Sequence, residues 1–195
     1  DHIGADHHEF IVKPRALDIL PTLVDHYGEP YADSSAVPTY YVSRETRKHV
    51  TVALNGDGGD ESFAGYERYA AMRLAERYNR IPAAVRKTLV ELPVSRLPTS
   101  ELKRSRIRDI KRFLRSASLP KVQRYFQWSS AFDRESKADL YTKEFRSEVE
   151  RFDAAGVLGQ WFSNANGSGI VDAAMFVDQM TYLPNDLLVK VDIAS

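Results

Sequence analysis

His49-Val50-Thr51-Val52-Ala53-Leu54, running directly into Asn55-Gly56-Asp57-Gly58-Gly59-Asp60-Glu61, is the stretch on which the fold turns. The first six residues are rich in β-branched and apolar side chains, which predicts a buried strand. The glycines and carboxylates that follow are turn chemistry. Past Glu61, the residues Phe63, Tyr66, Ala70, Leu74 and Tyr78 recur at three- and four-residue spacing as far as Asn79 and Pro82, which predicts a helix. The local unit is therefore strand, Gly-rich loop, helix.

Working outward, Phe10-Ile11-Val12 reads as a short strand, Leu17 to Tyr27 as a helix, and a loop with Pro30 leads to a second helix. Residues 1–80 thus form an α/β part. From Pro82 onward the pattern is almost wholly helical, with breaks expected at Pro93, Pro98 and Pro120 and a mobile loop over residues 163–169. The last helix places Phe176, Met180, Leu183 and Leu187 on one face, and Pro184 is expected to kink or restart it. It reaches Ser195 without a cap, which reads as a cut within a longer chain.

The 195 residues carry 27 Lys+Arg against 27 Asp+Glu and no cysteine. This length and make-up support one ordinary globular domain and argue against disordered or fibrous classes. The lack of cysteine removes disulfide scaffolds, thiolate metal sites and cysteine nucleophiles within this chain. No stretch approaches the ~20 apolar residues that cross a bilayer, so no membrane association and a cytoplasmic location are expected.

The chemistry concentrates in residues 55–61. Glycines let the backbone approach a ligand, and successive N–H groups can form an anion-binding nest ahead of a helix N-terminus. Carboxylates beside a phosphate repel it unless a divalent cation stands between, and Mg²⁺ suits one or two carboxylates plus phosphate oxygens and water. A tight turn in which Asp60 or Glu61 caps the next helix is the alternative reading. The loop is neither a Walker A sequence nor a G-x-G-x-x-G fingerprint.

Residues 54–66, Leu-Asn-Gly-Asp-Gly-Gly-Asp-Glu-Ser-Phe-Ala-Gly-Tyr, closely resemble the L-S-G-[ED]-G-x-D-E-x-F-x-G-Y element of glutamine-dependent asparagine synthetases. Residues 29–41, from Glu29-Pro30 to Tyr40-Tyr41, resemble the family's upstream E-P-x-x-D-x-S-x-x-P-T element. Residues 182–192, Tyr-Leu-Pro-Asn-Asp-Leu-Leu-Val-Lys-Val-Asp, resemble its downstream Y-L-P-x-D-L-L-x-K-x-D element. The resemblance covers residues 1–195, loosely between 85 and 170. It implies a partial adenine-nucleotide α-hydrolase-like (ATP-pyrophosphatase) domain with few parallel strands, its nucleotide-site part in residues 1–80 and its helical part in residues 81–195.

The resemblance further implies that ATP adenylates the side-chain carboxylate of aspartate and that glutamine-derived ammonia, delivered from an N-terminal glutaminase domain, displaces AMP to give asparagine. By position, Asp60 resembles the family's Mg²⁺-binding aspartate. Asp57 and Glu61 are the candidate catalytic residues, and Asn55, Gly56, Gly58 and Gly59 match the segment lying against ATP. Asn55 stands where serine is usual, Asp57 where glutamate is commoner, and Ile193 where arginine is usual. No S-G-G-x-D-S pyrophosphate loop or N-terminal cysteine is present, so the chain is expected to be a fragment inactive by itself. Its oligomeric state is left open, a homodimer being one assembly considered.

Two other readings belong beside this one. The same adenylation step serves relatives that act on sugar, peptide or β-lactam-precursor carboxylates, and fold analogy does not choose among them. Residues 103–124 form the one strongly basic segment, from Lys103 and Arg104 to Lys121 and Arg124, with Tyr125, Phe126 and Trp128 behind it. A nucleic-acid-binding module is the alternative from another class, although such runs are more often a solvated helix face. Asp6-His7-His8-Glu9 reads as structural, since neighbours on a strand point to opposite faces.

Overall fold

The computed structural model describes residues 2, 4–13, 15–97, 106–132, 134–165, 167 and 169–195. The chain divides into two compact units, one made of residues 1–58 and 181–195, the other of residues 59–180. The first crossing between them falls inside the Gly-rich loop, after Gly58.

The first unit is built on α1 (Ala16–Tyr27), α2 (Ala36–Thr46) and, after the long excursion, a π-helical turn (Leu183–Leu187) leading into the C-terminal helix. Helix α1 ends because Gly28 adopts a left-handed conformation (φ 63°) and returns its N–H to the Val24 carbonyl at 3.0 Å. Ile19 and Leu23 of α1 pack with Ala36 and Tyr41 of α2 and with Ala194. Val12, Tyr27, Tyr31, Val37 and Tyr40 close around them. The π turn begins beside Pro184, where a widened turn lets the ring clear the preceding carbonyls, so the expected disturbance takes that form.

Both expected strands are corrected. Neither residues 10–12 nor residues 49–54 join a ladder, and the described residues contain no strand. Val52 and Leu54 are 77% and 97% exposed, where a buried strand was expected. A β segment is stabilised by the neighbour that takes its N–H and C=O groups, and no described segment supplies one here. The only ring contact between the two segments is that of Phe10 with His49, at 4.7 Å.

Every element formed by the described residues of the second unit is a helix. The unit contains α3 (Gly59–Phe63), α4 (Glu67–Asn79), α5 (Ala83–Arg86), a π turn (Lys87–Glu91), α6 (Leu92–Ser95), α7 (Arg106–Ala117) and α8 (Lys121–Ser129). There follow α9 (Arg134–Leu140), α10 (Lys143–Val149), α11 (Ala154–Asn164) and α12 (Ile170–Met180); the C-terminal helix of the first unit is α13 (Leu188–Ala194). The helix expected to follow Glu61 is split into α3 and α4 by a turn at residues 64–66. Pro93 does not break its helix, because it sits in the first turn of α6 just past the π turn. Pro120 does mark a start, as the N-cap of α8. Pro98, Asn166 and Ser168 lie outside the described residues.

The core of this unit is Tyr69 and Met72 of α4, Tyr125 of α8, Phe162 of α11, and Ala173, Ala174 and Val177 of α12. Met180, expected on the buried face of the last helix, is 39% exposed. The buried stripe instead runs through Ala173, Val177 and Asp178, whose small or polar side chains give a weak hydrophobic pattern. Asp178 is 2% exposed and accepts from Tyr69 Oη at 2.5 Å, from Arg68 Nη2 at 2.6 Å and Nε at 3.1 Å, and from the Tyr125 hydroxyl. Burial and the Asp178 carboxylate both push the Tyr69 and Tyr125 hydroxyls up in pKa. A buried carboxylate is tolerated here because each of its oxygens is hydrogen-bonded and an arginine balances its charge.

Candidate functional site

The Gly-rich loop is held differently on its two sides. In the first unit, the Asn55 amide closes on Asp57: Nδ2 donates to Asp57 Oδ2 at 2.8 Å, and Oδ1 accepts from the Asp57 backbone N–H at 3.2 Å. Both residues are exposed. The two departures from the family pattern are therefore coupled, since serine at position 55 offers one hydroxyl where the amide offers a donor and an acceptor. Gly58 has φ +85°, a conformation that favours glycine, and a methyl there would meet Leu183 at 3.7 Å.

In the second unit, α3 is closed by a Schellman turn in which the Gly65 N–H bonds the Asp60 carbonyl at 3.0 Å. Ala64 takes the left-handed position, with φ 58°. That costs an L residue about 1 kcal/mol, and glycine is the usual occupant. Gly65 leaves room for its neighbour: a Cβ there would lie 1.8 Å from Asp60 Oδ1, so the carboxylate would have to move aside. The Asp60 side chain is exposed and has no ion-pair partner among the described residues. Glu61, by contrast, is fully buried; Oε1 accepts from the Tyr66 hydroxyl at 2.7 Å, and Gln179 Nε2 donates to the Glu61 carbonyl at 3.0 Å. Glu61 Oε2 has no partner among the described residues. Glu61 thus lies within α3 and does not cap the helix from outside it.

The sequence motifs at 29–41 and 182–192 meet within the first unit. Tyr31 Oη donates to Asp186 Oδ1 at 2.6 Å, Lys190 Nζ donates to Asp33 Oδ2 at 3.2 Å, and Tyr27 Oη donates to the Lys190 carbonyl at 3.3 Å. Tyr27 and Tyr31 stack at 4.2 Å. A cavity of about 690 Å³ opens beside them, with Leu20, Leu23 and Val24 on its apolar wall and Tyr31 and Asp33 among its polar lining. None of Tyr31, Asp33, Asp186 and Lys190 was singled out from sequence as a site residue. Their place inside the two motifs was the available signal.

Burial alone would raise the Asp33 pKa, but the Ser35 hydroxyl and N–H and the Lys190 ammonium outweigh it and hold Asp33 below its usual 3.8. A carboxylate depressed in the folded state adds stability above its unfolded pKa and loses it as pH falls through the folded value. The chain is therefore expected to lose stability below about pH 4 as this carboxylate protonates. Asp33→Asn is expected to cost about 2 kcal/mol at neutral pH and to flatten that part of the acid profile. Urea unfolding between neutral pH and about pH 3 checks both; parallel wild-type and Asp33→Asn profiles would contradict the ion pair's role.

Among the described residues, no three His, Asp or Glu side chains lie together as a metal site. A cation at this loop would rely on Asp60 with phosphate oxygens and water, a mode that suits Mg²⁺ and an exposed, unpaired carboxylate. Among the described residues, two of the aromatics behind the basic segment are engaged within the fold. Tyr125 is buried, Trp128 Nε1 donates to Ser116 Oγ at 2.6 Å, and Lys111 Nζ donates to the Leu97 carbonyl at 2.7 Å. Lys103 and Arg104 lie outside the described residues. Among the described residues no helix is long and apolar enough to cross a membrane.

The described residues carry the acidic Gly-rich loop and tie the two flanking motifs to each other by Tyr31–Asp186 and Asp33–Lys190, without the parallel strands that the resemblance implies. Residues 1–195 match the asparagine synthase family model, and the chain belongs to that family. Asparagine synthetase [glutamine-hydrolyzing] 1 of Bacillus subtilis is 28% identical over 191 residues, 97% of this chain. A Mycobacterium bovis protein, named provisionally as a glutamine-hydrolyzing asparagine synthetase, is 30% identical over 97% of this chain. One from Methanocaldococcus jannaschii, named in the same way, is 37% identical over 49% of it. The chain spans 28% of the length of the Bacillus subtilis and Mycobacterium bovis relatives. No solved structure matches it to a significant level.

Proposed function

We propose that this chain is the part of an ATP-dependent ligase that holds the nucleotide's phosphates while the side-chain carboxylate of aspartate attacks the α-phosphorus. Pyrophosphate leaves, and glutamine-derived ammonia then displaces AMP to give asparagine. The observation that carries the reading is Asp60: an exposed carboxylate with no ion-pair partner among the described residues, lying against Gly65, where a Cβ would stand 1.8 Å from its Oδ1.

In this reading Asn55, Gly56, Gly58 and Gly59 present backbone to the nucleotide, and the left-handed Gly58 sets the direction of approach. Asp60 would hold Mg²⁺, which neutralises pyrophosphate charge as it departs. Asp57, fixed by the Asn55 amide, is placed to accept a proton from the attacking amine. Glu61 acts through Tyr66 and the turn, since no atom of its side chain is exposed. Ammonia would come from the glutaminase portion of the longer protein. The activity belongs to that longer protein, and the 195-residue chain by itself is expected to form no asparagine.

The test is ATP/pyrophosphate exchange by the full-length protein that contains this segment, with and without aspartate. Exchange that requires aspartate and Mg²⁺ is the expected result. Exchange driven by another carboxylate and not by aspartate would move the assignment to a sister amidotransferase, and absence of exchange with any carboxylate would overturn the ATP chemistry.

A further inference from the structure

Helix α3 is five residues long, and helices shorter than about 12 residues are marginal in water unless something else holds them. Apolar packing does not hold this one. Phe63 is 86% exposed, and Glu61 is the only buried residue of α3. What fixes α3 is polar and runs through Glu61.

Glu61 is held at two points. Tyr66, the N-cap of α4, donates its hydroxyl to Glu61 Oε1 at 2.7 Å, and Gln179 of α12 donates Nε2 to the Glu61 carbonyl at 3.0 Å. Both anchors lead back to α12, which packs against α3 and α4. Gln179 stands on it directly. The Tyr66 ring lies beneath the Arg68 guanidinium, with Cζ 3.8 Å from the ring centroid, and Arg68 Nη2 donates to Asp178 Oδ2 at 2.6 Å. Consecutive residues of α12 therefore hold Glu61, one through its side chain and the other through its backbone.

Asp60 precedes Glu61 on the same turn of α3 and is exposed where Glu61 is buried. Its carbonyl accepts from the Gly65 N–H at 3.0 Å, which closes the backbone between Glu61 and Tyr66. A Mg²⁺ ion that takes one carboxylate with phosphate oxygens and water requires that carboxylate at about 2.0–2.1 Å in octahedral geometry. A misplacement of about 1 Å costs on the order of 100-fold in rate. The Asp60 carboxylate has no ion pair among the described residues, so its place is set by how α3 is held.

We propose that Tyr66 and Gln179 are positioning residues for Asp60: through Glu61 they hold α3 in the orientation that presents the Asp60 carboxylate outward to the cation. Their role rests on the reading of Asp60 as the Mg²⁺ ligand. Glu61 serves here as a hydrogen-bond acceptor, so its shape is needed and its charge is not.

The test joins ATP/pyrophosphate exchange by the full-length protein, followed against Mg²⁺ concentration, to amide hydrogen exchange in the 195-residue chain. Tyr66→Phe and Gln179→Ala are each expected to raise the Mg²⁺ concentration for half-maximal exchange about tenfold, with the rate at saturating Mg²⁺ within about threefold of wild type. Glu61→Gln keeps an acceptor for Tyr66 and should stay within about threefold of wild type, whereas Glu61→Ala should shift as Tyr66→Phe does. In the 195-residue chain the Gly65 N–H should lose about tenfold of its protection in Tyr66→Phe and Gln179→Ala, while the Val177 N–H in the core keeps its own. Gln179 is exposed, so Gln179→Ala carries the test even if Tyr66→Phe unfolds the chain. A merely stabilising role would lower exchange by one factor at every Mg²⁺ concentration. That pattern, unchanged Gly65 protection, or Glu61→Gln as damaging as Glu61→Ala would each overturn the positioning role. Asp60→Asn separates the two readings. If it abolishes exchange while Tyr66→Phe and Gln179→Ala keep the wild-type Mg²⁺ dependence, the metal site stands and the positioning role falls. If Asp60→Asn itself keeps wild-type exchange, both fall.

Discussion

Asp60→Asn is expected to lower Mg²⁺-dependent ATP/pyrophosphate exchange in the full-length protein by at least about 100-fold, with a change in unfolding free energy below about 0.5 kcal/mol. The asymmetry follows from the geometry. The Asp60 side chain is exposed and forms no ion pair among the described residues, so the fold loses little when its charge is removed. The carboxylate's one demand on the fold is room beside Gly65. Gly65→Ala makes the complementary prediction: its methyl must push the carboxylate aside, so exchange should fall about tenfold or more although the charge is retained. Raising Mg²⁺ should restore part of the Gly65→Ala loss and little of the Asp60→Asn loss. Exchange within threefold of wild type in Asp60→Asn would sink the metal assignment.

Asp178→Ala is expected to produce the largest stability loss in the chain, about 3–5 kcal/mol. Truncation leaves Arg68, whose side chain is only 18% exposed, without its carboxylate, and strands the Tyr69 and Tyr125 hydroxyls in the core. In the intact chain burial, which lowers the Arg68 pKa, is outweighed by Tyr125 and Asp178, which raise it. With Asp178 gone the guanidinium still cannot escape the penalty by releasing a proton, because arginine's ordinary pKa lies far above neutral. The loss should be read by urea unfolding of the chain. Combining Asp178→Leu with Arg68→Met and with Tyr69→Phe and Tyr125→Phe should recover much of it, because an apolar set leaves no donor unpaired. A loss below about 1 kcal/mol for the single truncation would show that water replaces the carboxylate without cost.

The helices were legible where apolar residues keep a helical period, as in Leu17 to Tyr27 and in the segment after Glu61. The Gly-rich loop was legible because glycine and carboxylate at that density have few structural uses. Three things were hidden. The apolar run 49–54 carries a strand's composition, but a strand is a property of a pair, and its local sequence says nothing of the neighbour. Asp178 interrupts an otherwise apolar stripe, so periodicity placed Met180 inside and gave no hint of a buried carboxylate whose partners are 53 and 109 residues away. The burial of Glu61 was equally invisible, because an acidic residue beside Asp60 in a polar loop gives no sign that one points outward and the other inward.

The division of the chain also sets an order of assembly. The first unit takes residues 181–195 as its last piece, and Tyr31 finds Asp186 across 155 residues of chain. During synthesis the residues 59–180 have all emerged, with their core partners, before the C-terminal helix of the first unit exists. The inner unit can therefore fold first, while α1 and α2 wait with Tyr41 and Leu23 uncovered for Ala194 and Lys190 to arrive. Contacts at such separation form slowly, so the earlier unit is the one exposed to the ribosome's pace and the outer one to its completion. A truncation that removes only α13 should leave the Tyr69–Tyr125–Asp178 core intact, leave Asp33 without Lys190 and keep the Tyr31–Asp186 hydrogen bond.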